Sequence, residues 1–114
     1  MPLLKIQTNQ PVDEMEITGL MKKASTLVAT ELGKPESYVM IAFEPPQPML
    51  FAGSDEPLAY LELKSIGLQE EQTKNLSVNL CQFVGDELKI PAERIYIEFS
   101  NAPRKMWGWN GGTF

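Results

Sequence analysis

The chain has 114 residues, a net charge of −5 and 43% hydrophobic residues, which describes one acidic domain with enough apolar content for a core. The acidic balance and the lack of a long basic run argue against a nucleic-acid partner, and no apolar run approaches the roughly 18 residues of a membrane span. Histidine is absent and Cys81 is the only cysteine, which removes Ser-His-Asp and Cys-His nucleophile schemes, an intrachain disulfide and most zinc sites. The start has no basic region leading into an apolar stretch and a cleavage site, so a cytoplasmic protein without a signal peptide is expected.

The first six residues, Met1-Pro2-Leu3-Leu4-Lys5-Ile6, set up the argument. Leu3 to about Thr8 reads as a strand, and Asn9-Gln10-Pro11 breaks it. A Met in front of a small residue such as proline is normally removed, which would leave the secondary amine of Pro2 as the first group of the mature chain. An amine held still in an apolar strand has its protonated form disfavoured by desolvation, and its pKa moves towards neutrality. That suits a general base. Many chains begin Met-Pro, and these two residues alone define no more than a strand start.

Asp13, three residues ahead of Glu16, resembles a capping box. Ile17, Leu20, Met21, Ala24, Leu27, Val28 and Leu32 follow at helical spacing, with Gly33 placed to cap and Pro35 to prevent continuation. Tyr38 to Phe43 is an almost unbroken apolar run, predicting a strand buried on both faces. Met49 to Gly53 reads as a loop or short edge strand, and Ser54-Asp55-Glu56-Pro57 as a turn. Leu58 to Ile66 is the third strand. Gly67 opens a second helix with apolar positions Leu76, Leu80, Phe83, Val84 and Leu88. Arg94 to Phe99 is the fourth strand, turned by Asn101-Ala102-Pro103, and Met106 to Trp109 can add a short one.

An internal repeat relates two halves, about 1–57 and 58–114, of one domain spanning 1–114. Glu31-Leu32 through Pro35 to Ile41-Ala42-Phe43 matches Glu87-Leu88 through Pro91 to Ile97-Glu98-Phe99. Each half reads strand, helix, strand, with a helix long enough for a parallel crossover. The expected fold is therefore α+β: two βαβ repeats forming a four-stranded mixed sheet with both helices on one face. Tyr38 to Phe43 and Leu58 to Leu61 would leave the other face as a large apolar patch, which predicts an oligomer with sheets packed face inward.

The whole chain resembles macrophage migration inhibitory factor and its D-dopachrome tautomerase relatives. The matching stretches are Met1-Pro2 with Thr8-Asn9, Gly33-Lys34-Pro35 with Tyr38, and Phe51-Ala52-Gly53-Ser54 with Glu56-Pro57. Ser65-Ile66-Gly67, Arg94-Ile95-Tyr96-Ile97, and Gly108-Trp109-Asn110 with Thr113-Phe114 complete them. Their order and spacing, more than any one piece, carry the likeness. The resemblance implies the tautomerase fold, a homotrimer closed as a barrel with sites at subunit interfaces, no cofactor, and keto–enol tautomerisation of phenylpyruvate-type 2-oxo acids.

By the same resemblance Pro2 is the base and Lys34 binds the substrate carboxylate. Ile66 adds a backbone N–H. Tyr38, Trp109 and Phe114 are aromatic walls, and Tyr96 comes from the neighbouring subunit. Glu98 replaces an Asn that contacts the far end of an aromatic substrate in vertebrate members, and Trp107 replaces a small aliphatic residue, narrowing the mouth. Leu58 and Leu61 stand where the thiol-oxidoreductase cysteines of the vertebrate cytokine stand, so that activity is not expected; Cys81 reads as a core thiol. Two other readings stay open: a cytokine-like interaction factor with a protein receptor and a vestigial pocket, and hydration or decarboxylation of a short acid, for which Arg94 and Arg104 are the available arginines.

Overall fold

The computed structural model describes residues 1–114. Strand β1 (Leu3–Thr8) leads to helix α1 (Glu14–Leu32), then β2 (Met40–Phe43), β3 (Ala59–Ile66), α2 (Glu70–Leu88) and β4 (Ile95–Ala102); β5 (Gly108–Trp109) and β6 (Gly112–Thr113) form a terminal hairpin. The four-stranded sheet runs β2-β1-β3-β4. β1 pairs parallel with β2, β3 pairs parallel with β4, and the two units meet antiparallel across β1 and β3. This is the mixed sheet expected from two repeats.

Both helices lie on one face. Alternation in β1 and β3 sends Leu4, Ile6, Leu61 and Leu63 into a single core with Leu20, Ala24 and Val28 of α1 and Leu76, Leu80 and Val84 of α2. Full burial of each Leu, Ile or Val side chain in this set contributes roughly 1.5–3 kcal/mol before conformational entropy is charged against it.

The opposite face corrects the expectation of an apolar patch. Cross-strand register places Lys5, Glu62 and Glu98 in one row and Gln7, Tyr60 and Tyr96 in the next. Lys5 Nζ pairs with Glu44 at 3.0 Å and with Glu62 at 3.6 Å, Gln7 donates to Glu44, and Tyr60 Oη donates to Glu98 at 3.3 Å. The face is polar because its residues alternate with the core set, and an apolar run in the sequence conceals which half of each strand is paired with charge. β2 is likewise not buried on both sides: Ile41 and Phe43 share the core face with Leu4 and Ile6, while Met40 is 65% exposed. Some exposed apolar side chains stand at the sheet edges, Met40 on β2 and Tyr96 on β4, and both outer strands keep a free backbone edge.

Four boundaries also differ. Tyr38 closes a 3-10 turn (Glu36–Tyr38), so β2 begins at Met40 rather than Tyr38, and β4 extends beyond Phe99 to Ala102, paired with Ile66. Asp13 caps α1 through the Met15 N–H without Glu16 closing a box. Helix α2 starts at Glu70, not Gly67, and carries the reciprocal box, with Gln69 and Gln72 each accepting from the other's backbone. Gly67 turns the chain at φ 79°.

Arg94 ties the 51–58 loop to β4. Its guanidinium donates to the carbonyls of Phe51, Ser54, Glu56 and Pro57 at 3.0–3.1 Å and lies 5.3 Å from the centre of the Phe51 ring. Phe51 in turn packs on Tyr96 with ring centres 4.6 Å apart. This arginine is structural, which removes it from the anion-binding role left open for it above.

Candidate active site

The site forms where β1 begins. Pro2 is buried, and its carbonyl accepts from the Met40 N–H at 2.9 Å, so β2 holds this second residue in the sheet. That hydrogen bond overcomes the fraying usual at a terminus. With Met1 attached, the Pro2 nitrogen is an amide with no free lone pair; removal of Met1 turns it into a secondary amine at the same fixed place.

The C-terminal hairpin closes over this end. Asn110 at φ 52° and Gly111 at φ 77° make the left-handed turn that a two-residue hairpin needs, and the Phe114 N–H donates to Trp107 O at 3.2 Å. The fold-back brings Tyr38, Trp109 and Phe114 into one cluster. Trp109 and Phe114 are stacked at 5.3 Å, and Tyr38 meets each edge-on, at 5.5 and 5.8 Å. With Met1, Pro2, Leu3, Val39, Met40 and Trp107 these rings line a cavity of about 430 Å³. Larger clefts exist, one of about 780 Å³ lined by Asn9, Gln10, Gln47 and Asp55, but they lack a base in an apolar setting beside a cation.

Lys34 follows the cap of α1. Gly33 is left-handed at φ 63°, and the Lys34 N–H donates back to Ala29 O at 3.0 Å, a Schellman closure that fixes the lysine backbone just ahead of the 36–38 turn. Its ammonium takes part in no ion pair. Burial, then the positive charges of Lys34 and Arg104, hold the Met1 amine below the ordinary α-amino pKa. Pro2 is adjacent and buried.

Of the residues singled out from the sequence, Pro2, Tyr38, Trp107, Trp109 and Phe114 line one cavity and Lys34 stands by it. Ile66 ends β3 beside the start of β1, buried, outside the cavity lining. Tyr96 and Glu98 lie on β4, separated from β2 by two strands, and do not meet Pro2 within one protomer. Arg104, the other arginine named from the sequence, lies in the 3-10 turn that leads into Trp107 and is not part of the cavity lining. Cys81 is half-buried on α2, and burial pushes its thiol above the ordinary range, as for a packing residue rather than a nucleophile.

Two parallel βαβ units joined back to back, with Pro2 in an aromatic cavity, define the tautomerase-superfamily class. Comparison with known proteins agrees. The family model described as macrophage migration inhibitory factor matches residues 1–114. The chain is 44% identical to a macrophage migration inhibitory factor homologue of Brugia malayi, covering 100% of this chain and 99% of the relative. It is 38% identical to macrophage migration inhibitory factor of Xenopus tropicalis over the same shares. The crystal structure of a homologue from Prochlorococcus marinus superposes with a TM-score of 0.93 at 42% identity, covering 98% of each chain. The chain belongs to the macrophage migration inhibitory factor family.

Proposed function

We propose that the mature protein is a cofactor-free keto–enol tautomerase of phenylpyruvate-type 2-oxo acids, with the Pro2 amine as general base. The observation that carries this reading is the burial of Pro2 at the floor of an aromatic cavity beside an unpaired lysine. The substrate carboxylate pairs with Lys34, and its ring lies among Tyr38, Trp107, Trp109 and Phe114. The neutral Pro2 nitrogen takes a proton from the carbon next to the carbonyl. The carbon–hydrogen electron pair becomes the enolate double bond, and charge moves onto oxygen near the Lys34 ammonium. The protonated proline then returns that proton to oxygen; nothing is oxidised or reduced. Lys34 acts twice, since a cation nearby both anchors the acid and favours the neutral amine.

The reading includes a homotrimer. In a closed ring of three, the apolar β4 side of one copy meets the β2 side of the next, a head-to-tail contact that a threefold axis closes. Support comes from the two free sheet edges and the exposed Met40, Leu50 and Tyr96. Such a contact would bring a neighbouring copy's Tyr96 and Glu98 to the mouth of the Pro2 cavity. Assay of phenylpyruvate ketonisation on protein whose N-terminus is checked by mass spectrometry, with sedimentation of the same sample, tests both parts. Turnover by a trimer is expected. A trimer with no turnover rejects the chemistry, and a fully active monomer rejects the shared site.

A further inference from the structure

One buried polar side chain has no partner within the chain. Ser65 is 1% exposed, and its Oγ, closed to solvent, meets no hydrogen-bonding group. The core face of β3 otherwise carries Ala59, Leu61 and Leu63. Thr8, the other buried polar residue, is satisfied, because its hydroxyl donates to Leu58 O at 2.7 Å. An apolar residue would fill the Ser65 place without leaving a hydrogen bond unmade, so a hydroxyl there calls for a partner.

The antiparallel ladder points to one. Leu3 faces Lys64, so the next step along both strands sets Pro2 opposite Ser65. Alternation turns both toward the core face, Pro2 with Leu4 and Ser65 with Leu63, and both are buried. The Pro2 carbonyl is turned to β2, where it accepts from the Met40 N–H, so Pro2 and Ser65 stand opposite without backbone hydrogen bonds between them. Pairs of this kind bring their side chains closest, with Cβ atoms about 4.5–5.5 Å apart. On its other flank Ser65 faces Asn101 of β4, but Asn101 Oδ1 already accepts from the Gly67 N–H at 2.9 Å. With Met1 attached, the Pro2 nitrogen has no hydrogen to give. Once Met1 is removed it carries one, and two when protonated.

We propose that Ser65 is a positioning residue for the base: its hydroxyl accepts a hydrogen bond from the freed Pro2 amine and so turns the lone pair toward the substrate carbon. This rests on Pro2 being the base. A neutral ring amine has one hydrogen and one lone pair, and holding the hydrogen on the core side leaves the lone pair for the cavity. After proton abstraction the amine carries two hydrogens. One returns to the substrate, and the other stays on Ser65 instead of being buried unpaired. Ser65 is not in the cavity lining. It stands behind the base rather than beside the substrate, so its effect belongs in kcat and not in binding.

The test measures kcat, KM and the pH profile with phenylpyruvate for the wild type, Ser65→Ala and Ser65→Thr, with Pro2→Gly beside them. Thermal unfolding of the wild type and Ser65→Ala is followed in Met1-free and Met1-bearing preparations. Ser65→Ala should lower kcat by about tenfold and leave KM nearly unchanged. A hydroxyl that accepts from the protonated amine favours that form, so its loss should move the inflection to lower pH. The titratable groups around this end are Lys34 after α1, Glu36 and Tyr38 in the 3-10 turn, Arg104 ahead of Trp107 and, in the proposed trimer, a neighbouring copy's Tyr96 and Glu98. All are the same in the Ser65 variants. Ser65→Thr keeps a hydroxyl and should return the inflection toward the wild type. In the Met1-free protein Ser65→Ala should lower the unfolding temperature by a few degrees; in the Met1-bearing protein, whose amide nitrogen cannot donate, it should not. An equal loss of stability in both preparations, or an inflection unmoved while Pro2→Gly still loses its rate, overturns the proposal and leaves the tautomerase reading standing. If the wild type does not turn over phenylpyruvate, the tautomerase reading falls, and the stability difference between the two preparations alone decides whether Ser65 holds the amine.

Discussion

Pro2→Gly is expected to lower kcat/KM for phenylpyruvate by at least about a hundredfold, within the range that a positioned general base supplies. Glycine in second place still allows Met1 to be removed, so the variant keeps an α-amine. What it loses is the ring. The pyrrolidine fixes the nitrogen relative to the chain, fills the buried floor of the cavity and leaves no side-chain torsion to settle. A glycine amine can rotate away from the substrate carbon and can draw water into the apolar site, which raises the pKa back towards the ordinary α-amino value. The Pro2 carbonyl bond to Met40 is a backbone contact and survives the change, so folding should be retained. Unchanged circular dichroism and sedimentation alongside the lost rate would assign the effect to the nitrogen. A rate within threefold of wild type would exclude Pro2 as the base.

Lys34→Met is expected to reduce kcat/KM by about ten- to a hundredfold, the worth of a charge-assisted carboxylate contact, with most of the loss in KM. A second effect separates this from simple weakening. Lys34 is one of the groups holding the Met1 amine below its ordinary pKa, and in the proposed reading it acts in the same way on the Pro2 amine. Removing its charge lets that pKa rise. The base works when neutral, so activity climbs as pH passes upward through the pKa and levels above it. The inflection of the variant should therefore lie at higher pH than that of the wild type, and part of its loss should be recovered at high pH. A profile displaced to lower pH, or not displaced, would show that Lys34 does not act on the base. The substitution sits outside the Schellman closure, which uses only backbone atoms, so the end of α1 should stay intact.

The fold was legible because the alternation in Leu3–Thr8 and the 3.6-residue spacing in Ile17–Leu32 and Leu76–Leu88 each name one buried face. The repeat then supplied the pairing of halves. What stayed hidden was register. Tyr38 to Phe43 looks apolar throughout, yet its Met40 and Ala42 share a face with Lys5, and that face is charged. Nothing local in the run tells which neighbour each residue will meet. Gln69 and Gln72 escaped notice because glutamine is a weaker capping signal than the Ser, Thr, Asp or Asn that mark most helix starts.

The cavity was legible only through family likeness. Pro2, Tyr38, Trp109 and Phe114 are scattered along the chain, and no spacing rule connects them; the Asn110-Gly111 turn does so in space by folding the tail over β1. Tyr96 and Glu98 show the reverse case. The resemblance groups them with the site, while the sheet order puts them at the far edge of the same protomer, so their contribution depends on a neighbouring copy.

The central claim is that freeing the Pro2 nitrogen creates the base. The most direct measurement compares two preparations of the same chain, one with Met1 removed and one with Met1 retained, each verified by mass and assayed with phenylpyruvate. The processed protein should turn over, and the Met1-bearing protein should be slower by about a hundredfold or more, since its Pro2 nitrogen is an amide that cannot accept a proton. Equal rates from the two preparations would contradict the account and move the search for the base away from the N-terminus.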